Sequence, residues 1–172
     1  MTFSEIRQEL IKNAEEKFKD FSVKIVLTKM PMLGVRTPMV KKLAKEADES
    51  YLTSVPHYYE EALVYGFALG RLKPSAKELF ENLPRYLGFV DSWAAIDSPL
   101  SGMKAFKKEK EQCLSYIDDY LYDEREYFAR FAAVALFNYI DETHIDDVVE
   151  RYATVTAGRY YVDMAIAWGL SI

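Results

Sequence analysis

The sequence predicts an all-α protein assembled from stacked antiparallel helix pairs, and three observations carry that expectation. Apolar residues recur at spacings of three and four, as at Phe3, Ile6, Leu10, Ile11, Ala14 and Phe18, the period of a helix face turned toward a core. No segment sustains the alternation of a half-buried strand. Paired aromatics followed by small residues also recur: Tyr58-Tyr59 into EALVYGFALG, Tyr127-Phe128 into ARFAAVALF and Tyr160-Tyr161 into VDMAIAWGL, at offsets of 69 and 33 residues. Trp93 falls between the first two and completes a ladder at 58, 93, 127 and 160, a period that suits helix-pair repeats. Small residues such as Ala62, Gly66, Ala68, Ala132, Ala133 and Ala165 let neighbouring helices approach closely. Each pair then buries its apolar face only against the next, and such an array curves to present a concave surface.

Taken in order, the first helix is expected over 3–19 and is followed by a less regular stretch, DFSVKIVLTKMPMLGVR. Thr37-Pro38 reads as an N-cap with proline at the first helical position, opening a helix through Asp48. Further helices are expected over 56–72, 75–86, 92–97 with an extension, 104–120, 124–140, 143–153 and 160–171. Pro56, Pro74, Pro84 and Pro99 sit near the starts or ends of these elements. The length suits a single domain over residues 1–172.

A content of 50% hydrophobic and 28% charged residues, with only 7 Gly and 6 Pro, is that of a globular chain and excludes disorder. The single Cys113 excludes an internal disulfide and a Cys-rich zinc site, and is most simply a small buried apolar side chain. The amino terminus, MTFSEIRQEL, is charged where a signal peptide needs an apolar run, so a cytoplasmic location is expected. No window is apolar enough to span a bilayer, and no membrane partner is expected. The net charge of -5 opposes nucleic acid unless Lys and Arg gather on one face. Two local clusters exist, Lys41, Lys42 and Lys45, and Lys104, Lys107, Lys108 and Lys110; each also fits a solvated helix face.

No Ser, Cys or His arrangement supports nucleophilic catalysis, and no glycine loop or ligand spacing calls for a cofactor or a metal. His57 and His144 lie near expected helix starts among polar neighbours and read as surface residues. The segment FVDSWAAIDSPLSG is more informative. With Asp91 as N-cap, Trp93 and Asp97 stand four residues apart on one helix face, an aromatic plane beside a carboxylate. The plain alternative places Trp93 in the core and has Asp97 cap the next turn, before Pro99. Trp168, in MAIAWGLSI, likewise reads by itself as core. Arg130 lies within the apolar run YFARFAAVALF, where a charge is costly unless it has a partner or lines a groove.

Five blocks, GVRTPMVKKLAKE (34–46), EALVYGFALGR (61–71), VDSWAAID (90–97), YFARFAAVALF (127–137) and YYVDMAIAWGLS (160–171), resemble successive blocks of the AlkD-like DNA alkylation-repair family in the same order. The resemblance covers nearly the whole chain. It implies a right-handed α-solenoid of HEAT-like helix pairs whose concave groove binds double-stranded DNA with alkylated purines. In that family a tryptophan and an aspartate four residues apart, a later arginine and a second tryptophan line the groove; by motif position these resemble Trp93, Asp97, Arg130 and Trp168. Arg36, Lys41, Lys42, Lys45 and Arg71 are the further residues expected to meet DNA.

The implied activity is hydrolysis of the N-glycosidic bond of cationic N3- or N7-alkylpurines, without metal or cofactor. An alkylated purine already carries positive charge, so its departure needs no general acid. Asp97 would stabilise positive charge developing on the deoxyribose and orient the attacking water. Trp93 and Trp168 would lie against the sugar and backbone, and Arg130 would fork a phosphate. Catalytic members have two full helices before the block equivalent to GVRTP. Here DFSVKIVLTKMPML stands in place of the second, which resembles a shorter subgroup lacking it. The chain stops four residues after Trp168, and exposed apolar residues on the last helix are expected to favour self-association. Two other classes stay open: a non-catalytic binder of damaged or distorted DNA using the same groove, and a protein-interaction scaffold suited to the acidic balance.

Overall fold

The computed structural model describes residues 1–172, and every regular element in it is helical. Helix α1 (Phe3–Lys12) opens on a reciprocal cap in which the Thr2 hydroxyl accepts the Glu5 N–H and the Glu5 carboxylate accepts the Thr2 N–H at 2.7 Å. It ends at Asn13, whose side-chain amide and backbone N–H both donate to the Glu9 carbonyl. Glu15 then donates its N–H to the Gly34 carbonyl at 3.1 Å, which fixes the start of α2 (Glu16–Val26) against a distant segment. The single helix expected over 3–19 is therefore two, and the second continues through half of the stretch read as irregular. Two helices precede the 34–46 block, so the likeness to a subgroup lacking the second one is corrected. Leu27, at φ 54°, stops α2 in a left-handed conformation.

The chain continues through α3 (Thr37–Glu46), α4 (Tyr59–Leu72), α5 (Ala76–Leu87) and α6 (Trp93–Leu100), with a 3-10 turn at Glu49–Thr53. Arg36 rather than Thr37 holds the cap position of α3, so Pro38 is the second helical residue rather than the first, still within the first turn. The helix expected over 104–120 divides at Glu109, whose backbone leaves helical angles, into α7 (Ala105–Lys108) and α8 (Lys110–Leu121). That expected over 124–140 is α9 (Glu126–Ala135) tightening into a 3-10 turn at Leu136–Tyr139. Helices α10 (Ile145–Thr154) and α11 (Tyr160–Leu170) complete the chain. The aromatic ladder marks helix starts: Tyr59, Trp93 and Tyr160 are the first residues of α4, α6 and α11, and Tyr127 is the second of α9. No helix is long and apolar enough to cross a membrane.

The helices gather into two compact units, Met1–Lys104 and Ala105–Ile172. In the first, α4 is buried along most of its length and packs mainly on α3 and α6. Its small residues make the approach possible: a Cβ on Gly66 would lie 2.5 Å from the Tyr86 hydroxyl and 2.7 Å from Pro99. Tyr65 stacks on Tyr86 with ring centroids 5.6 Å apart and donates its hydroxyl to the Leu52 carbonyl at 2.7 Å. In the second unit α9 packs on α8 and α11, with Phe106 and Phe131 wholly buried. The Tyr152 hydroxyl donates to the Ala133 carbonyl at 2.7 Å, and Gly169 leaves the room that Tyr152 needs. Cys113 is buried, as its sequence context suggested.

His144, read from sequence as a surface residue, is 9% exposed. The reason is a cluster at the start of α10: its Nδ1 lies 2.8 Å from Asp141 and its Nε2 2.8 Å from Glu111 of α8. Lys110 pairs with the same Asp141. A ring with a carboxylate at each nitrogen makes both bonds only as imidazolium. The hydrogen bonds to Asp141 and then Glu111 raise the His144 pKa, while Lys110 and His144 hold Asp141 well below the usual carboxylate range. A raised folded-state value means that the stabilisation is complete below the unfolded value of about 6.5 and fades as pH rises through the folded one. The urea midpoint is therefore expected to be higher at about pH 6 than at about pH 8.5. His144→Gln should shrink that difference; equal pH dependence in variant and wild type would dismiss the clamp.

Candidate functional site

Helix α6 begins where Ser92, in extended backbone, turns its hydroxyl to accept the Ala95 N–H at 3.4 Å. Asp91, expected to be the cap, is engaged elsewhere: its carboxylate accepts the Thr28 hydroxyl and the Lys29 N–H. The expected cap thus shifts by one residue, because Asp91 ties the loop after α2 to α6. Pro99 lies inside α6 and has no N–H for the Ala95 carbonyl. The buried Tyr86 hydroxyl of α5 donates to that carbonyl instead.

Trp93 is half-buried. Its Nε1 donates to the Ile25 carbonyl of α2 at 3.3 Å, and its ring lines a cleft of about 210 Å³ with residues that include Phe18, Met32, Tyr59 and Glu60. Asp97, also half-buried, stands one turn further along the same helix. The segment that follows α2 is fixed by Glu60, at the second position of α4 and 1% exposed. Its two oxygens accept the N–H groups of Leu33 (3.0 Å), Gly34 (2.7 Å) and Val35 (3.2 Å). Gly34 takes a φ of 84°, and a Cβ there would strike the Glu15 carbonyl at 2.4 Å. Glu61, next in sequence, accepts the N–H groups of His57 and Tyr58 and a two-point contact from Arg7. Burial alone would raise the Glu61 pKa, but Arg7 and the two N–H donors prevail and hold it low. Sequence reading passed over both carboxylates; paired acids in the first turn of an otherwise apolar helix were the available signal.

The cations expected to meet DNA fall into different surroundings. Arg36 is exposed and forks Glu15 at 2.9 and 3.0 Å, with its guanidinium 5.0 Å from the Phe18 ring. Lys42 is exposed. Lys41, Lys45 and Arg71 line one cleft of about 350 Å³, together with Lys104, Ala44, Phe67, Ser101 and Gly102. Lys41 sits 5.3 Å from the Phe67 ring centre. Arg71 donates to the Ala44 and Ala47 carbonyls at the end of α3. Sequence reading placed Lys104 with Lys107, Lys108 and Lys110; the fold divides that run, sending Lys104 into this cleft and Lys110 to Asp141.

Arg130 and Trp168 belong to the second unit. Arg130 is 5% exposed, and its Nη1 donates to the Tyr161 carbonyl at 2.6 Å. Tyr161 in turn donates its N–H to Glu126 at 2.8 Å, so α9 holds the start of α11 at two points. Trp168 follows Tyr161 by seven residues, two turns along one face of α11. It is 49% exposed and rests edge-on against Phe137 with centroids 4.6 Å apart, which sets aside the reading of Trp168 as a core residue.

By its architecture, then, the chain is an all-helical protein that places an indole and a carboxyl group one turn apart and gathers cations in a separate cleft. The family model described as DNA alkylation repair enzyme matches residues 6–171, and the chain belongs to that family. DNA alkylation repair is the general function this carries, and DNA is the partner it implies. No curated protein and no solved structure matches the chain.

Glu60→Gln keeps the size of the side chain but sets an NH2 against backbone donors. It should cost about 1–3 kcal/mol in urea unfolding. In a Trp168→Phe background, Trp93 emission should also shift to the red as α2 loosens; emission unchanged from the parent would remove Glu60 from the placement of Trp93.

Proposed function

We propose that the chain is a right-handed α-solenoid of HEAT-like helix pairs that binds double-stranded DNA containing alkylated purines and hydrolyses the N-glycosidic bond of cationic N3- or N7-alkylpurines. The observation that carries this reading is Trp93 and Asp97, both half-buried, one turn apart on α6 of a chain whose family match runs from end to end. The solenoid reading is supported by α4 and α9, each packed mainly on two other helices of its unit, and by the ladder of aromatics at helix starts.

In this reading the leaving purine is already cationic, so the site needs one carboxylate and no acid. Asp97 stabilises the positive charge that grows on the deoxyribose as the bond breaks and orients the attacking water. Trp93 and Trp168 present aromatic faces to the sugar and backbone beside the lesion. For Arg130 a phosphate contact requires the guanidinium to share or exchange its bond to Tyr161. Arg36 is already neutralised by Glu15 and adds little to the attraction of DNA, whereas Lys41, Lys42, Lys45 and Arg71 supply it.

Release of 7-methylguanine from alkylated duplex DNA is the expected activity. Asp97→Asn should slow it about a hundredfold or more while leaving DNA affinity close to that of wild type. Release undiminished in Asp97→Asn would sink the assigned role, and DNA binding without any release would select the non-catalytic binder. Absence of DNA affinity at low salt would leave the scaffold reading.

Self-association through α11 is part of the same proposal, supported by the exposure of Tyr160, Met164, Trp168 and Leu170. Sedimentation at rising protein concentration should show a dimer that Met164→Glu weakens; a monomer throughout would end this part.

A further inference from the structure

The cleft at the C-terminal ends of α3, α4 and α6 has a charge that the fold does not account for. Lys41, Lys45, Arg71 and Lys104 line it, and no carboxylate does. All four are exposed, and other cations of this acidic chain meet acids: Arg7 meets Glu61, Lys73 meets Glu49, Lys110 meets Asp141 and Arg151 meets Asp118. None of the four cleft cations has such a partner. The carbonyl ends of three helices offset part of the charge, at roughly half a unit each. About two and a half positive charges are left facing a hollow of about 350 Å³ with Phe67 and Ala44 in its wall. Arg71 is already held in place by the Ala44 and Ala47 carbonyls, so it loses little freedom on meeting an anion.

We propose that this cleft is a phosphate-binding site that grips the DNA strand by a backbone phosphate beside the nucleotide facing Asp97, an inference that rests on the DNA reading above. Helix α6 supplies the spacing. Trp93 opens it, Asp97 follows one turn later, and Ser101 and Gly102 stand at the edge of the cleft just past its last residue. At about 1.5 Å per residue, Asp97 and Ser101 are about 6 Å apart along the axis. A strand rises about 3.4 Å per nucleotide, so the phosphate gripped is one or two nucleotides from the sugar at Asp97. The lysines act as point charges on its oxygens, Arg71 offers directed N–H groups, and Phe67 and Ala44 lie under the adjoining deoxyribose.

Fluorescence anisotropy of a labelled duplex oligonucleotide over a salt series tests this, since each phosphate neutralised adds about 0.9 to the slope of log affinity against log salt. Lys45→Ala and Lys104→Ala remove cations that bond nothing in the fold, so both variants should melt like wild type. Each should weaken binding several-fold, and the double variant should lower the slope by about one. Lys77→Ala, which removes a cation paired with Glu81 on α5, should change neither quantity. If wild type binds DNA and the cleft variants match it in affinity and slope, the cleft is overturned while the DNA reading stands. If wild type binds no DNA at low salt, both fall. DNA binding with the expected slope changes but no base release keeps the cleft and removes the glycosylase. Inorganic phosphate shifting the amide signals of Ala44 and Gly102 in a protein that binds no DNA would identify a free phosphate ligand and overturn the strand assignment.

Discussion

Glu60 accepts three backbone N–H groups with a side chain almost wholly out of water, and the placement of everything around Trp93 depends on that capture. A buried carboxylate is costly unless its oxygens are met by donors. Here Leu33, Gly34 and Val35 meet them, and the positive end of α4 adds to the attraction. Glu61 would repel it if the two shared surroundings, but Glu61 is met by Arg7 of α1 and by the N–H groups of His57 and Tyr58. One pair of adjacent acids therefore binds the start of α4 to α1 and to the segment after α2. With that segment fixed, the Gly34 carbonyl receives Glu15 and the Ile25 carbonyl comes within reach of the Trp93 ring nitrogen.

The same accounting of charge explains how an acidic chain can meet a polyanion. Net charge describes the sum, whereas binding depends on which cations still lack a local counter-charge. Arg36, Lys110 and Arg151 are each neutralised within the fold. The first unit brings four of its uncompensated cations, Lys41, Lys45, Arg71 and Lys104, into one cleft. In the second unit a cleft between α8 and α10 is lined by Asp118, Asp147, Glu150 and Arg151, and so has the opposite sign. Segregation of this kind is what the composition left open.

The helices were legible in the sequence because an apolar period of three to four is a strong signal, and the Trp93–Asp97 pair because a four-residue spacing fixes a shared face on any helix. What was missed lies where one polar group answers another far away in sequence. Asp91 looked like a cap and serves the loop at Thr28 and Lys29; the break at Asn13 depends partly on Gly34; His144 is drawn inward by Glu111 of another helix. Lys104 joined the wrong group for the same reason, since linear proximity to Lys107 says nothing about Lys41 and Lys45. Local rules place a residue on a helix, and only packing decides what it faces.

Helix α6 shows how far a site can depend on residues that touch no ligand. Pro99 breaks the backbone ladder one turn after Ala95, which would leave a buried carbonyl unsatisfied immediately before the turn that carries Asp97. The Tyr86 hydroxyl fills that vacancy from α5, and Gly66 of α4 has no side chain to obstruct either Tyr86 or Pro99. A helix of eight residues has little stability of its own. Its geometry between Trp93 and Asp97 is therefore imposed by a tyrosine below, a glycine beside it and the Ser92 cap at its start. The proposed hydrolysis asks a single carboxylate to stand at a fixed distance from one aromatic plane, and under that proposal this imposed rigidity is the protein's main contribution.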